Sequence, residues 1–479
     1  MSDNFYNNDS VNRRFWLNGE VQIIPDKPWL LIDYLRDHLH LTGTKAACRE
    51  GDCGSCQVLL SDHSQADVLR YRAQTSCLSR VQDIENHHLI TIEGLRNYST
   101  NSLSQLQKIL ADNGASQCGF CSPGLTMGAL NWLLNGKALT IEEGEHWING
   151  NLCRCTGYMG QRRAIAEIVS VYAEALMASR DRLQTLIDLE LFPQFSTMPL
   201  LLEASNKILG GGTDRYLHQP VSMWAKNEVC KTDNDELVFK ETQNSLILNA
   251  CVPIQQIAEA LEVAGKFSAF KKFNHLFASL PVRNQATLGG NLANASPIGD
   301  GITFLMALDA TVCTNLQSVS INDFFIGFKQ TVLKPGEIIQ WVEIPLSQID
   351  SCEGTPKVHV TFDKVSRRGT TDIAVVNCAA SWQLENGIVK RALLVVGGAS
   401  PIPVRLPTIE KAMVGLCIND INNSAEKISH YLNQSLQEYL SPISDQRGSA
   451  NYRRLLANQL VLAQWHNLAE LHGGNSDGA

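Results

Sequence analysis

With a formal net charge of −8 over 479 residues, the chain lacks the positive balance that a nucleic acid or an anionic membrane surface would attract. It lacks any run of about 18 apolar residues, as a membrane span would need. Its start, MSDNFYNNDSVNRRF, has no apolar stretch of the kind that marks an export signal. Neither membrane spanning nor secretion is expected, which leaves the cytoplasm as the default compartment. Two nucleotide signatures are also missing. No G-x-x-x-x-G-K-[ST] loop occurs, and the three-glycine run ILGGGTDR has Arg215 where a G-x-G-x-x-G fingerprint needs glycine. What is present is ordinary globular composition, 44% hydrophobic and 18% charged. The length suits three or four domains of about 100–150 residues, each with its own core.

Cysteine is plentiful, with 14 in the chain. A reducing cytoplasm disfavours disulfides, so clustered thiols point to metal. Cys230, Cys251, Cys313, Cys352, Cys378 and Cys417 are solitary, in mostly apolar surroundings, and read as inert core residues. The other eight form two sets. In CREGDCGSC and the later TSCL, Cys48, Cys53, Cys56 and Cys77 make C-x4-C-x2-C with a distant fourth. In QCGFCSPG and GNLCRCTGY, Cys118, Cys121, Cys153 and Cys155 make C-x2-C and C-x-C. The first spacing is the plant-type 2Fe-2S arrangement, in which a glycine-rich loop turns backbone N–H groups toward the sulfurs. Structural zinc also takes four thiolates, but as paired C-x2-C knuckles, which neither C-x4-C nor C-x-C resembles.

Around these thiols the pattern reads as two small units. FWLNGEVQII suggests a hairpin through Asn18-Gly19, Leu30 to Leu39 an amphipathic helix, and Gln57 to Leu60 a strand. From Leu103 the period turns helical: Leu103, Leu106 and Leu110 space as one face, Pro123 opens a second helix toward Leu134, and Gln161 to Leu186 reads as one long third. Cys118 and Cys121 then precede one helix and Cys153 and Cys155 another, so two helix dipoles would favour a thiolate cluster. A proline-broken connection, LFPQFSTMPL, follows, and beyond it strands and glycine turns take over.

The four cysteine segments resemble the two 2Fe-2S domains of the molybdenum hydroxylases, the xanthine dehydrogenase and aldehyde oxidase family, ligand by ligand. The resemblance implies that Gln117 contacts a pterin held by a partner subunit. One departure is GYMGQRR, where the family carries proline and isoleucine after the tyrosine; it bears on how the long helix starts. The resemblance continues through ILGGGTDR and LPVRNQATLGGNLANASPIGDG, which look like the family's FAD domain. Glycines there let the backbone approach a diphosphate. It implies that Leu209, Gly210, Gly211, Gly212, Thr213 and Asp214, with Thr287, Leu288, Gly289, Gly290 and Asn291, hold the FAD diphosphate and nearby groups. Ser296 and Asp300 would serve its adenosine and ribityl side. Here the stretch before Ile208 is short for the family, and Asn249 stands where glycine is common. FDKVSRRGTTDIAVVNCAA resembles the segment that reaches back to the flavin, so Lys364 and Asp372 are implied isoalloxazine contacts, while Arg367 and Arg368 read equally as solvated charges. ALLVVGGASPIPVR suggests strand, turn and exit, with a helical tail.

The expected architecture is multidomain α+β: a plant-type 2Fe-2S β-grasp domain at 12–96, a helical 2Fe-2S domain at 97–187, a linker at 188–200, an FAD-binding domain at 201–350 and a C-terminal α+β flavoprotein domain at 355–472. No catalytic residue is expected in this chain. By the resemblance, it carries electrons from molybdopterin in a separate large subunit through two 2Fe-2S clusters to FAD and on to NAD+, with purines the expected substrate. The same chain would serve a complex acting on aldehydes or N-heterocycles, and a zinc-stabilised silent protein is the remaining alternative.

Overall fold

The computed structural model describes residues 13–62, 70–95, 103–195, 211–214, 237–349, 357–418 and 421–473. These pack as two units, one from residues 13–195 with 212–214 and Ser279–Asn284, the other from Gly211, 237–278 and 285–473.

The first unit begins with a five-stranded sheet: β1 (Arg14–Leu17), β2 (Glu20–Ile23), β3 (Gln57–Asp62), β4 (Arg70–Thr75) and β5 (His88–Ile90), in the order β2-β1-β5-β3-β4. Asn18 and Gly19 turn the β1–β2 hairpin, both at positive φ, as the sequence suggested. β1 and β5 run parallel and the other neighbours antiparallel. The amphipathic stretch starts as α1 (Leu31–Asp33) and widens into a π-turn, Tyr34–His38; Leu31, Tyr34 and Leu35 fill the core with Phe15, Val58 and Leu89. On β4, Tyr71, Ala73 and Thr75 alternate inward, the period of a strand with one covered face.

Five helices cover that face: α2 (Gln105–Asp112), α3 (Ser122–Asn135), α4 (Ile141–Ile148), α5 (Tyr158–Ala178) and α6 (Arg182–Asp188). Trp132, Leu130, Ile165 and Ile168 meet Leu59, Tyr71 and Ile90 in one shared core. Three details differ from the sequence reading. Leu103 is 53% exposed and precedes the helix, which Ser104 and Gln107 start with reciprocal capping bonds. The long third helix is broken between Ala178 and Arg182, where Asp181 caps α6 through Gln184 N–H and its own N–H bonds the Ser179 hydroxyl; such local side-chain bonds compete with helix continuation. α4 was not anticipated, although Thr140 accepting from Glu143 N–H is the S/T-x-x-E start signal. Leu191 and Phe192, read as part of a connection, are buried in this core because that stretch is itself apolar; residues 196–200 of the connection lie outside the described residues.

In the second unit an antiparallel sheet, β6 (Phe239–Glu241), β7 (Ser245–Asn249), β8 (Thr311–Thr314), β9 (Ser318–Ser320) and β12 (Ile339–Pro345), has the order β6-β7-β12-β8-β9; β10 (Phe325–Gly327) and β11 (Gln330–Thr331) form a separate hairpin. An antiparallel meander, β13 (Lys357–Val365), β14 (Val376–Glu385), β15 (Ile388–Gly397) and β16 (Val404–Arg405), follows, and three helices, Pro407–Met413, Ile421–Tyr439 and Ala450–Gly473, form the tail. Trp382 and Trp465 centre that core. A phenylalanine cluster ties two helices to β13: Phe273 of Ser268–Leu276 stacks on Phe304 of Asp300–Ala307 at 4.3 Å and meets Phe362 of β13 edge-on. Of the solitary cysteines, Cys378 is fully buried, but Cys251, Cys313 and Cys417 are only half-buried, because each sits in a short strand or turn near a sheet margin; Cys230 and Cys352 lie outside the described residues. The architecture is the expected multidomain α+β class. Among the described residues no helix is long and apolar enough to cross a membrane.

Candidate cofactor sites

Cys77 of the first thiol set follows β4 in the turn Ser76–Leu78, and the other three, Cys48, Cys53 and Cys56, sit on the loop before β3. Arg49, Gly51 and Gly54 all take positive φ there, and Gly51 has no room for a side chain: a Cβ would stand 2.5 Å from Leu78 Cδ1. Asp33 fixes the loop from below with a forked pair of bonds from Arg49, at 3.2 and 2.5 Å. So shaped, the loop brings the four thiols together in two pairs, Cys48 with Cys53 and Cys56 with Cys77. Glu50 N–H donates to Cys48 Sγ at 3.4 Å, and Ser55 Oγ lies 3.1 Å from Cys53 Sγ. The contact with Cys48 draws the Cys53 thiol down to about 5, while the same contact and burial push Cys48 up. Within the second pair, contact with Cys77 lowers Cys56, and contact with Cys56 followed by burial raises Cys77. One thiol of each pair is therefore held toward the thiolate, the form that binds metal.

The second set also pairs two and two, Cys118 with Cys155 and Cys121 with Cys153. Cys121 is the N-cap of α3, and Gly157, two residues past Cys155, is the N-cap of α5, so both helix starts face the thiols. Gly157 N–H donates to Cys153 Sγ at 3.3 Å. The Phe120 N–H, then Cys155, lowers the Cys118 thiol; burial, then Cys153, raises Cys121 to about 11. The GYMGQRR departure leaves the helix starting at Tyr158, whose hydroxyl accepts from Cys153 N–H at 3.0 Å. Gly160 abuts the Gly114 carbonyl so closely that a Cβ would lie 2.3 Å from it. Cys118 and Gln117 are exposed, the Gln117 amide lies beside Gly157, and Phe120, Tyr158 and Met159 surround them at 45%, 47% and 64% exposure. This set opens to the surface, whereas Cys56 and Cys77 of the first are buried.

Two thiols for each of two irons is what a 2Fe-2S centre requires. The two-and-two pairing supplies that set of donors, so the residues fit a two-iron cluster.

Gly289 and Gly290 lie in a helix, Leu288–Asn294, and not in the free glycine turn read from the sequence; Thr287 caps it by accepting from Gly290 N–H at 3.0 Å. The turn Asn249-Ala250 supports this helix from below. Gly289 N–H donates to Ala250 O at 2.8 Å, and Asn249 accepts from Cys251 N–H and donates to Leu237 O. Gly211 presses on the same region, since a Cβ would stand 1.8 Å from Gln285 O. Gly290 is exposed and open, and Asn291 carries a buried Oδ1 with no hydrogen-bond partner. The exposed backbone lets a phosphate approach, and the orphaned amide oxygen can accept from a donor such as a ribityl hydroxyl, so these residues fit FAD. Leu209 and Gly210 lie outside the described residues; Gly212, Thr213 and Asp214 form a turn.

Asp300 and Lys364, assigned to different parts of the flavin, instead face each other: Nζ and Oδ2 are 2.9 Å apart, with side-chain exposures of 1% and 10%. Asn377 completes this group by donating to Asp300 Oδ1 at 2.7 Å and to Ile298 O at 3.3 Å, while Thr303 donates to Asn377 Oδ1. Ser296 begins the same turn, its carbonyl accepting from Gly299 N–H. Asp372 is elsewhere, pairing with Arg368 at 3.1 Å; Arg367 donates to the Gln446 carbonyl. Sequence reasoning missed Asn377, whose signal was one amide inside the apolar run VVNCAA.

Four family models match in succession: a 2Fe-2S iron-sulfur cluster binding domain at 16–82, a [2Fe-2S] binding domain at 91–166, an FAD binding domain in molybdopterin dehydrogenase at 196–347, and a CO dehydrogenase flavoprotein C-terminal domain at 361–468. Among curated proteins, xanthine dehydrogenase 2 of Arabidopsis thaliana is 29% identical over 85% of this chain and 36% of its own length. Xanthine dehydrogenase of Emericella nidulans is 28% identical over 97% of this chain and 39% of its own. The chain thus spans well under half the length of these relatives. Among solved structures, quinoline 2-oxidoreductase of Pseudomonas putida 86 is similar over 48% of this chain and 77% of its own, with 26% identity and a TM-score of 0.41. Carbon monoxide dehydrogenase of Hydrogenophaga pseudoflava is similar over 47% and 75%, with 21% identity and a TM-score of 0.42.

Proposed function

We propose, for a chain that belongs to the molybdenum hydroxylase family and carries two 2Fe-2S-binding domains and an FAD-binding domain, that it is the electron-transfer subunit of a xanthine dehydrogenase-like oxidoreductase. The observation that carries the reading is the pairing of eight thiols, two and two, from four separate segments of the chain. In this reading Cys48, Cys53, Cys56 and Cys77 hold one cluster and Cys118, Cys121, Cys153 and Cys155 the other. Thr287 to Asn291, Gly210 to Asp214, Ser296 and Asp300 hold FAD; Lys364 acts through Asp300, and Asp372 is the weakest member of the set.

When bound, the clusters exchange single electrons and the flavin one or two, which couples a two-electron donor to a two-electron acceptor. The chain's own residues supply thiolates, N–H groups aimed at sulfur, and burial for Cys56 and Cys77 of the first set. The molybdopterin belongs to a partner subunit, a heterodimer or a dimer of heterodimers, and NAD+ is the acceptor. The exposed second set with Gln117 is the side that meets the partner. The curated relatives, named as xanthine dehydrogenases, support purine oxidation as the reading, and the cytoplasm is the compartment proposed for it. The domain boundaries are those given above.

The test is anaerobic purification with iron and flavin quantified together. About four irons and one FAD per chain, bleached by dithionite, are expected; zinc without flavin overturns the reading. Cys118→Ser should then abolish flavin reduction from the substrate side and spare NADH diaphorase activity. Equal loss of both would contradict the assigned order.

A further inference from the structure

The two thiol sets lie on separate segments, and a backbone hydrogen bond joins the loop of Cys48–Cys56 to that of Cys153 and Cys155: Leu152 N–H donates to the Cys53 carbonyl at 3.0 Å. Leu152 immediately precedes Cys153, so a residue of each set stands at or next to either end of that bond. The residue on the other side of Leu152 is Asn151, 2% exposed, and its side chain spans the same two loops. Its Nδ2 donates to Gly54 O at 3.2 Å, one residue past Cys53, and its Oδ1 accepts from Gln57 Nε2 at 3.2 Å, one residue past Cys56.

The surroundings leave this amide little freedom. A Cβ on Gly54, at φ +70°, would stand 2.6 Å from Asn151 Nδ2, and one on Gly128 of α3 would stand 2.9 Å from Oδ1. Gly124, also on α3, abuts the Gly54 carbonyl, where a Cβ would lie 2.1 Å away. Three glycines thus make room for one buried amide and the loops it holds. A buried polar group whose bonds are met on both sides fixes the backbone around it, because any displacement leaves it unpaired in a low dielectric.

We propose that Asn151 is a positioning residue for electron exchange between the two cluster sites, holding the Cys53 carbonyl against the Leu152 amide so that the two ligand sets share a bonded connection. This rests on the two-cluster reading above. An electron crossing there oxidises the reduced centre of one set by one and reduces the oxidised centre of the other by one. No proton moves, no bond forms or breaks, and Leu152 N keeps its hydrogen.

The experiment uses the full chain, purified anaerobically, with Asn151→Asp as the main variant. It keeps the size and the acceptor for Gln57 but sets an oxygen against the Gly54 carbonyl. Hydrogen exchange at the Leu152 amide should quicken about tenfold or more, the effect of one lost buried bond. After flash reduction, inter-cluster transfer should slow, and the magnetic coupling between the reduced clusters should weaken. Iron content, each cluster's own line shape and each potential should stay as in the wild type. Gln57→Leu, which frees the other end of the amide, should move both readouts the same way. Unchanged exchange and unchanged transfer in Asn151→Asp overturn the proposal. Slowing that occurs in both variants only with lost iron or shifted potentials also overturns it, since Asn151 would then serve assembly alone. Wild-type protein that takes up no iron would instead sink the two-cluster reading, and exchange at Leu152 would still report on the bond itself.

Discussion

Replacing Lys364 by methionine should be among the most damaging single changes in the flavin unit. Its ammonium is 1% exposed and lies 2.9 Å from Asp300 Oδ2, itself 10% exposed. Methionine keeps most of the stem volume, so the loss is electrostatic. Asp300 would be left buried with only the Asn377 amide, at 2.7 Å, to stabilise it. Removing one partner of such a pair costs about 3–5 kcal/mol, because the other charge stays uncompensated. A surface pair such as Lys390–Glu385, 51% and 61% exposed, contributes about 0–1 kcal/mol. Urea unfolding followed by the fluorescence of the buried Trp382 and Trp465 reads the difference, and the midpoint on heating should fall by roughly 6–20 °C. Asp300→Asn and the double variant close a cycle in which the pair should show a coupling of about 0.5–3 kcal/mol. A loss below about 1 kcal/mol for Lys364→Met, like that of a surface pair, would refute the argument.

His88 is fully buried between Gly19 N–H, which donates to its Nε2 at 3.1 Å, and the Tyr71 hydroxyl at 2.6 Å from its Nδ1. Burial lowers its pKa to about 4, so the unfolded chain takes up the proton first as the pH falls. The first unit should keep its full stability above about pH 6.5 and lose on the order of 3 kcal/mol as the pH drops toward 4. In His88→Gln this slope should flatten, and a slope that persists there assigns the effect to other groups. Gly290→Val should fold and keep both clusters, since a Cβ there meets only Thr287 Oγ1 at 3.0 Å. Its flavin-to-iron ratio should nevertheless fall, and a normal ratio would remove that helix start from the FAD site.

The parts of the fold that were legible in the sequence were those whose cause is local. The Asn18-Gly19 turn, the proline-led start of α3 and the strand in QVLLSD each follow from a few adjacent residues. The misread parts were set by competition at similar range. Asp181 and Ser179 hold bonds that end one helix and start another, inside a run whose hydrophobic period alone looks continuous. Leu191 and Phe192 looked like part of a linker because Pro193 and Pro199 follow them, yet their apolar surface finds a sequence-distant partner in Tyr71, whose ring lies 5.4 Å from that of Phe192.

The sites divide along the same line, for a reason that bears on how they work. The proposed ligands are written in spacing, because a loop of a given length can present only certain thiols to one centre, and the structure brings those eight cysteines together in pairs. Residues that brace the candidate sites act across long separations: Asn151 reaches Gly54 in a thiol loop, while Asn377 and Lys364 reach Asp300 in the flavin unit. Nothing in GNLCRC distinguishes an amide that bonds another loop from one that faces water. Asn377 differs in lying within the apolar run VVNCAA, where a polar side chain can be buried only if its bonds are met. A single amide in a run that otherwise needs none is the sequence signal there, whereas Asn151 carries no such signal. Its partner becomes known only when the fold brings the two segments together.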